Sequence, residues 1–160
     1  MATEAKQVGV ITAEELLQSW QGHRRLTRRT IEAFPEGRLF QFSVGGMRSF
    51  ADMAFEFIGM AMPIIKGISS GQWEKFAGDR PTTKAGLLQL WDEQTAAIDE
   101  NFPKIPPHRF AEVDTAFDQW KNTNIATLQY AIDNEIHHRG QGYVYLRALG
   151  IEPPHFWERE

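Results

Sequence analysis

The sequence contains no cysteine. A chain without cysteine can form no disulfide bond, no thiolate metal site and no cysteine nucleophile. The absence of disulfides suits a reducing compartment better than a small secreted scaffold, so we expect a cytoplasmic protein. Any thiol chemistry would have to use a thiol that another molecule supplies.

Long hydrophobic runs are also lacking. The most apolar stretch, Met53 to Ile65, contains Glu56 and is shorter than the roughly 20 residues that cross a bilayer. We therefore expect a buried helix there and no membrane insertion. Met1 to Val10 holds no apolar run of signal-peptide length, which predicts no secretion signal.

No excess of positive charge is present. Seventeen Lys and Arg residues against 21 Asp and Glu give a net charge of −4, which supplies no general attraction for nucleic acid or anionic lipid. Gly45 and Gly46 are not followed by the Gly-Lys-Ser or Gly-Lys-Thr of a phosphate-binding loop, so no nucleotide cofactor is expected. The 160 residues, 42% of them hydrophobic, predict a single domain over residues 1–160.

Alternation typical of a β-strand occurs only in the short stretch Arg38 to Val44. Apolar residues instead recur at helical spacing in four segments, which Pro and Gly residues separate. The predicted helices cover about residues 13–33, 50–66, 83–102 and 121–149. This pattern predicts an all-α fold, a four-helix bundle of the up-and-down type with longer connections after helices two and three.

Local signals support these bounds. Thr12 with Glu15 three residues later is a capping box for helix one. Pro63 lies inside helix two and predicts a kink or a break near residues 59–63. Residues 67–81 are predicted to form a loop, and Gly150 is predicted to end the last helix.

Two of the five histidines, His137 and His138, are adjacent in the last helix. Neighbouring residues of a helix point about 100° apart, so only one of the two can face a given site. With Leu128 as the origin of the helical wheel, His138 borders the core and His137 faces outward. The three other histidines are interpreted as surface or loop residues: His23, His108 and His155.

Asn134 lies one turn before His138, so the two side chains share a helical face. Such a pair can offer two ligands to one metal ion, although an amide is a poor ligand for soft metals. A hydrogen-bonded pair between helices explains the same spacing. Three nearby charges are interpreted as solvated or interfacial: Asp133, Glu135 and Arg139.

Glu56 is unusual because apolar residues surround it in the sequence. A carboxylate on a buried helix must be paired, hydrogen-bonded, bound to metal or protonated, since an isolated buried charge costs several kcal/mol. Alternatively, Glu56 lies on an exposed seam of the helix and pairs with Arg48 or Lys66.

The C-terminal stretch HHRGQGYVYLRALGIEPPHFWE and the earlier stretch RSFADMAFEF resemble the DinB family of DinB/YfiT-like metalloenzymes. The resemblance covers essentially the whole chain. It implies a four-helix bundle, often a homodimer, in which three histidines bind a divalent metal ion. One ligand comes from helix two and two come from an HxxxH pair on the last helix.

Transferred to this sequence, the metal positions of the family fall on Glu56, Asn134 and His138. The resemblance implies that these residues converge in one cavity between helices two and four. A Glu, Asn and His set could hold a harder ion such as Mn²⁺, Fe²⁺ or Mg²⁺, whereas the family type of site holds Zn²⁺ or Ni²⁺.

The resemblance leaves two functions open. One is a metal-assisted, thiol-dependent S-transferase-like enzyme that uses a low-molecular-weight thiol. The other is a non-catalytic dimer that binds a small ligand or a protein partner at a degenerate metal site. Five Trp and 11 Phe also predict an apolar face that a homodimer would cover.

Overall fold

The computed structural model describes residues 9–160. The segment Met1 to Val10, from which no secretion signal was predicted, lies almost entirely outside the described residues. The chain is mostly helical. Its α-helices are α1 (Ala13–Ala33), α2 (Glu36–Gln41), α3 (Phe50–Ser70), α4 (Lys84–Asn101) and α5 (Asn124–Ala148). Two short 3₁₀ helices, Phe102–Lys104 and Pro107–Ala111, lead into two strands, β1 (Val113–Ala116) and β2 (Trp120–Thr123).

Helix α1 has the predicted bounds because its capping box forms. The Thr12 hydroxyl accepts a hydrogen bond of 3.1 Å from the Glu15 backbone amide, and the Glu15 carboxylate accepts one of 2.7 Å from the Thr12 amide. Both bonds use backbone donors that the helix itself leaves unpaired. After α1, Pro35 precedes the short helix α2, which includes the first part of the strand-like stretch Arg38 to Val44.

Helix α3 begins after the N-cap Ser49 and runs unbroken through Pro63, so no break occurs there. It also extends beyond the predicted end and stops at Gly71, whose φ of 76° is left-handed. Gly67 was predicted to lie in a loop but is helical. A Cβ there would lie 2.3 Å from the Trp73 ring, so glycine allows this ring to pack on α3.

Helix α5 begins at Asn124, later than predicted, because the preceding residues form a β-hairpin. Strands β1 and β2 are antiparallel, with Val113 opposite Thr123 and Ala116 opposite Trp120. Phe117 and Asp118 in the turn have positive φ without being glycine. The usual Asn-Gly or Asp-Gly turn signal is therefore missing, and four-residue strands are too short for a clear alternation.

The four long helices form a closed ring of contacts. Helix α3 packs on α4 and α5, and α1 packs on the same two helices, whereas α1 and α3 contact each other little. The all-α prediction is right apart from the hairpin. A simple up-and-down order, in which consecutive helices are neighbours, is wrong, because residues 34–49 cross from α1 to the opposite helix α3. Within residues 9–160, no helix is long and apolar enough to cross a membrane.

Candidate functional site

The site lies where α3 and α5 cross. Gly142 of α5 meets Phe50 of α3 so closely that a Cβ on the glycine would lie 2.4 Å from the ring. This close approach brings the face of α5 that carries Asn134 and His138 against Glu56 of α3.

The structure brings the three predicted residues together around one carboxylate. Glu56 Oε1 accepts a hydrogen bond of 3.0 Å from Asn134 Nδ2 and lies 3.7 Å from His138 Nε2. Glu56 Oε2 is paired with the Arg48 guanidinium. Glu56 therefore contacts α5, and it also pairs with Arg48, as the alternative interpretation predicted.

Glu56 is half-buried, and its surroundings favour the charged form. Burial raises the pKa of this carboxyl, but the hydrogen bonds from Arg48 and Asn134 and the charges of Arg48 and His138 outweigh it. The net result is a pKa below the ordinary value for glutamate. The site thus holds a carboxylate at neutral pH.

His138 is oriented by Gln141, one turn further along α5. The Gln141 Oε1 atom lies 2.9 Å from His138 Nδ1, and an amide oxygen can only accept, so Nδ1 carries the proton. His138 Nε2 then faces Glu56 Oε1 at 3.7 Å, and a proton on Nε2 or a cation between the two atoms would satisfy both. Gln141 was not predicted as a site residue, although its spacing of three residues from His138 was a signal.

Packing fixes the His138 ring. It stacks on Phe57 with the ring centres 6.1 Å apart and an interplanar angle of 25°. His137 is exposed, as the helical wheel predicted, and its Nε2 lies 3.2 Å from Gln141 Nε2. His137 therefore lies outside the site.

The spacing of 3.7 Å between Glu56 Oε1 and His138 Nε2 is compatible with one metal ion. Two ligand atoms at about 2.1 Å from a common ion lie roughly 3 to 4 Å apart. The oxygen of the Asn134 amide is buried and has no hydrogen-bond partner, so this side chain has an unused acceptor. Within residues 9–160, no group of three or more His, Cys, Asp or Glu side chains could hold a metal ion. At this site Glu56 and His138 are two such side chains, and Asn134 turns its amide nitrogen toward Glu56.

Arg48 lies at the edge of the site, immediately before the N-cap of α3. Its backbone oxygen accepts a hydrogen bond of 2.8 Å from the Tyr145 hydroxyl of α5, while its side chain is 48% exposed. The backbone of Arg48 is therefore anchored to α5, and its guanidinium is half-exposed at the edge of the site.

Two charged residues of α5 were wrongly interpreted as solvated or interfacial, since Glu135 is 2% exposed and Arg139 is 6% exposed. Glu135 accepts hydrogen bonds from the Trp20 indole at 3.2 Å and from the Thr27 hydroxyl at 2.6 Å. Arg139 donates to the His23 backbone oxygen at 3.1 Å. These contacts join α5 to α1. Arg139 follows Leu128 by 11 residues, about three helical turns, and this spacing could have identified its burial.

His23 also differs from its interpretation as a surface residue. Its Nδ1 lies 3.1 Å from an Arg139 nitrogen and its Nε2 lies 3.0 Å from an Arg159 nitrogen. His108 and His155 are exposed, in agreement with the prediction.

Two cavities lie outside the site. One of about 280 Å³ and one of about 440 Å³ are lined by α3, α4 and residues after α3, including Lys66 and Glu74 in both. Neither is lined by Glu56, Asn134 or His138. A cavity around those three residues therefore stays a prediction.

Known proteins resemble this chain in sequence and fold. The family model described as "DinB family" matches residues 1–159. The uncharacterized protein YjoA of Bacillus subtilis (strain 168) is 31% identical over 97 residues, which cover 60% of this chain and 62% of that protein.

Two solved structures share the fold. A DinB-like protein from Bacillus cereus ATCC 10987 superimposes with a TM-score of 0.70 at 22% identity, over 89% of this chain and 95% of the other. The DinB-like protein YjoA from Bacillus subtilis gives a TM-score of 0.70 at 23% identity, over 88% of this chain and 97% of the other. With a family model that matches almost the whole length, the chain belongs to the DinB family.

Proposed function

We propose that this DinB family protein binds a divalent metal ion through Glu56, Asn134 and His138 and uses it in thiol-dependent S-transfer. The observation that carries the proposal is the orientation of His138. Gln141 Oε1 lies 2.9 Å from Nδ1, and on the other side of the ring Nε2 faces the Glu56 carboxylate across 3.7 Å. An acceptor on the non-ligating nitrogen is the usual partner of a metal-binding histidine.

The chemistry of the donors favours an ion that prefers oxygen. A carboxylate and an amide oxygen suit Mn²⁺, Fe²⁺ or Mg²⁺, and one imidazole suits Fe²⁺, Zn²⁺ or Ni²⁺. A single imidazole gives fewer nitrogen ligands than Zn²⁺ and Ni²⁺ sites usually have. We therefore expect this site to prefer Mn²⁺ and Fe²⁺ to Zn²⁺ and Ni²⁺.

A bound divalent ion would lower the pKa of a small thiol, so that more of it is the nucleophilic thiolate at neutral pH. The thiol must be external, because the chain has no cysteine. His138 and Glu56 would hold the ion, and Phe57 would limit the access of water to the His138 ring. The transfer step forms a carbon–sulfur bond as the leaving group departs with its electron pair.

A second candidate function is a non-catalytic dimer that binds a small ligand. The observation in its favour is the pairing of Glu56 with Arg48, which neutralises the carboxylate without any metal ion. In this case the Glu56, Asn134 and Arg48 contacts would be a structural link between α3 and α5.

The first test is calorimetric titration of the protein with Mn²⁺. His138→Ala should weaken binding by at least about tenfold because it removes the imidazole ligand. His137→Ala is the matched control, since it removes the adjacent exposed histidine, and should leave the affinity nearly unchanged. A larger loss for His137→Ala than for His138→Ala would contradict the site.

The second test restores the family ligands. The double variant Glu56→His/Asn134→His should bind Zn²⁺ or Ni²⁺ more tightly than the parent, because two imidazoles replace a carboxylate and a weak amide ligand. An affinity no greater than that of the parent would show that these positions do not share one metal ion.

The third test separates the two functions. The Mn²⁺-loaded protein is mixed with cysteine as the thiol and 1-chloro-2,4-dinitrobenzene as the electrophile, and absorbance reports the thioether that forms as chloride leaves. The rate should exceed that of Mn²⁺ alone and should be lost in His138→Ala. Binding of Mn²⁺ without any such rate would favour the non-catalytic function.

A further inference from the structure

The larger of the two cavities has the features of a ligand-binding site. Its volume is about 440 Å³, which lies within the range of small-molecule sites in proteins. Its walls come from α3, from α4 and from residues 74–77, which follow α3. Most of the lining side chains are apolar: Met62, Pro63, Phe76, Ala77, Leu90 and Ala97. Such walls favour a ligand with an apolar body.

Aromatic packing holds one wall of this cavity in place. The Phe76 ring meets Phe55 of α3 edge-on, with the ring centres 5.9 Å apart. A Cβ at Gly78 would lie 2.3 Å from the Phe76 ring, so glycine lets the backbone pass close to it. The Trp73 ring, which packs on Gly67, anchors the start of the same segment. The protein's own contacts therefore fix this wall.

Gln94 of α4 places a buried hydrogen-bonding group among these apolar side chains. It lines the cavity and is 5% exposed. Its Nε2 donates a hydrogen bond of 2.7 Å to the Ile58 backbone oxygen, and since a carbonyl can only accept, this bond fixes which end of the amide is the nitrogen. Gln94 Oε1 is buried and has no hydrogen-bond partner. Because a buried acceptor without a partner is costly, a ligand that carries an N–H or O–H group would be stabilised here.

The charged residues that line the cavity balance one another. They are two lysines and two glutamates, all of them exposed: Lys66, Lys75, Glu74 and Glu93. Two positive and two negative charges give no net charge, and water screens exposed charges. The electrostatics of the lining therefore favour an uncharged ligand.

We propose that this cavity binds a small, uncharged aromatic molecule whose N–H or O–H group donates a hydrogen bond to Gln94 Oε1. Phe76 and Met62 offer the contacts that an aromatic ring favours, namely a second ring and a polarizable thioether. None of the three residues of the candidate metal site lines this cavity. The proposal therefore does not depend on a metal ion.

Indole and 1-methylindole are suitable probes because they differ at the donor. In titrations followed by protein NMR, indole should bind to the parent about fivefold more tightly than 1-methylindole, since only indole can donate to Gln94 Oε1. Gln94→Met removes the acceptor at similar size and should abolish this preference. Gln89→Met makes the same change at an exposed glutamine of α4 outside the cavity and should keep the preference.

A second pair of variants tests the cavity itself. Ala97→Phe keeps Gln94 and places a ring in the cavity, so it should weaken the binding of both probes by at least about tenfold. Ala96 is the neighbouring residue of α4, is exposed and does not line the cavity. Ala96→Phe should therefore bind both probes like the parent.

Three outcomes would overturn the proposal. If neither probe binds to the parent, the cavity holds only water. If indole and 1-methylindole bind to the parent equally well, Gln94 Oε1 does not accept a hydrogen bond from the ligand. If Ala97→Phe and Ala96→Phe weaken binding equally, the ligand lies elsewhere. Because Ala97→Phe retains the bond from Gln94 to Ile58, this variant decides the location even if Gln94→Met does not fold.

Discussion

The protonation of His23 is controlled by residues that are distant from it in the sequence. It belongs to α1, yet Arg139 of α5 and Arg159 approach its two ring nitrogens. Burial first, and then the positive charges of Arg139 and Arg159, lower the pKa of His23 to about 4. The folded protein therefore keeps this imidazole neutral at pH values where an ordinary histidine is protonated.

This environment predicts a loss of stability in acid. Between about pH 6.5 and pH 4 the unfolded chain binds a proton at His23 that the folded chain does not, so the free energy of unfolding falls as the pH falls. In urea unfolding, His23→Gln should reduce this loss by about 1–2 kcal/mol, a value discounted for partial exposure. Parallel pH profiles for the two proteins would contradict the assignment.

The residues of the site differ in how far sequence reasoning could identify them. Asn134 and His138 share a helical face by their spacing alone, and Glu56 was conspicuous as a carboxylate among apolar residues. The buried roles of Glu135 and His23 were not predicted, because their partners come from other helices or from a distant segment. A helical wheel is drawn for one helix and does not show which residues of other elements contact it.

At the scale of secondary structure, the crossing of α3 and α5 depends on Gly142. The Phe50 ring occupies the space that a side chain at this position would need. Gly140, two residues earlier on the same helix, has no atom within 4 Å of the position of a Cβ. The two glycines therefore form a matched pair in which only one is needed for packing.

Alanine substitutions should have opposite effects at these positions. Gly142→Ala should destabilise the protein by about 1–3 kcal/mol, because Phe50 and the helix backbones must move apart. Gly140→Ala should stabilise it by about 0.5–1 kcal/mol, since alanine favours a helix interior. Thermal and urea unfolding measure both changes. Equal effects of the two substitutions would show that the crossing is not tightly packed.

The bounds of the elements were predictable where a chemical signal marks an end. The capping box of Thr12 and Glu15 sets the start of α1, and α5 ends just before Gly150 as expected. The extension of α3 through Gly67 was not predictable, because glycine is a poor helix former and its reason for being there is the close approach of the Trp73 ring. That contact is tertiary, and local propensity does not contain it.

At the scale of the whole molecule, the arrangement of the helices was less predictable than their existence. Helical periodicity does not say which helix is the neighbour of which, and the chain crosses between opposite helices at residues 34–49. Buried contacts from Trp20, Thr27 and Arg139 link α1 to α5, which are far apart in sequence. Such pairings depend on three-dimensional packing, which a single sequence does not display.

The outer face of α5 carries two exposed apolar side chains that the expected homodimer would cover. Tyr130 and Val144 point away from the core and are 61% and 56% exposed, and their spacing of 14 residues places them on one side of the helix. Light scattering should give twice the mass of one chain. A species of one chain's mass at micromolar concentration would contradict the dimer.

Two variants test whether this face of α5 forms the dimer. Val144→Glu should shift the protein toward the monomer, because a carboxylate that an interface buries loses its hydration without gaining a partner. Val113→Glu introduces the same charge at a valine of β1 that is 54% exposed and should leave the dimer intact. If Val113→Glu dissociates the dimer and Val144→Glu does not, the hairpin forms the interface instead. The face of α5 that carries His137 and Gln141 would then remain open to solvent at the edge of the candidate metal site.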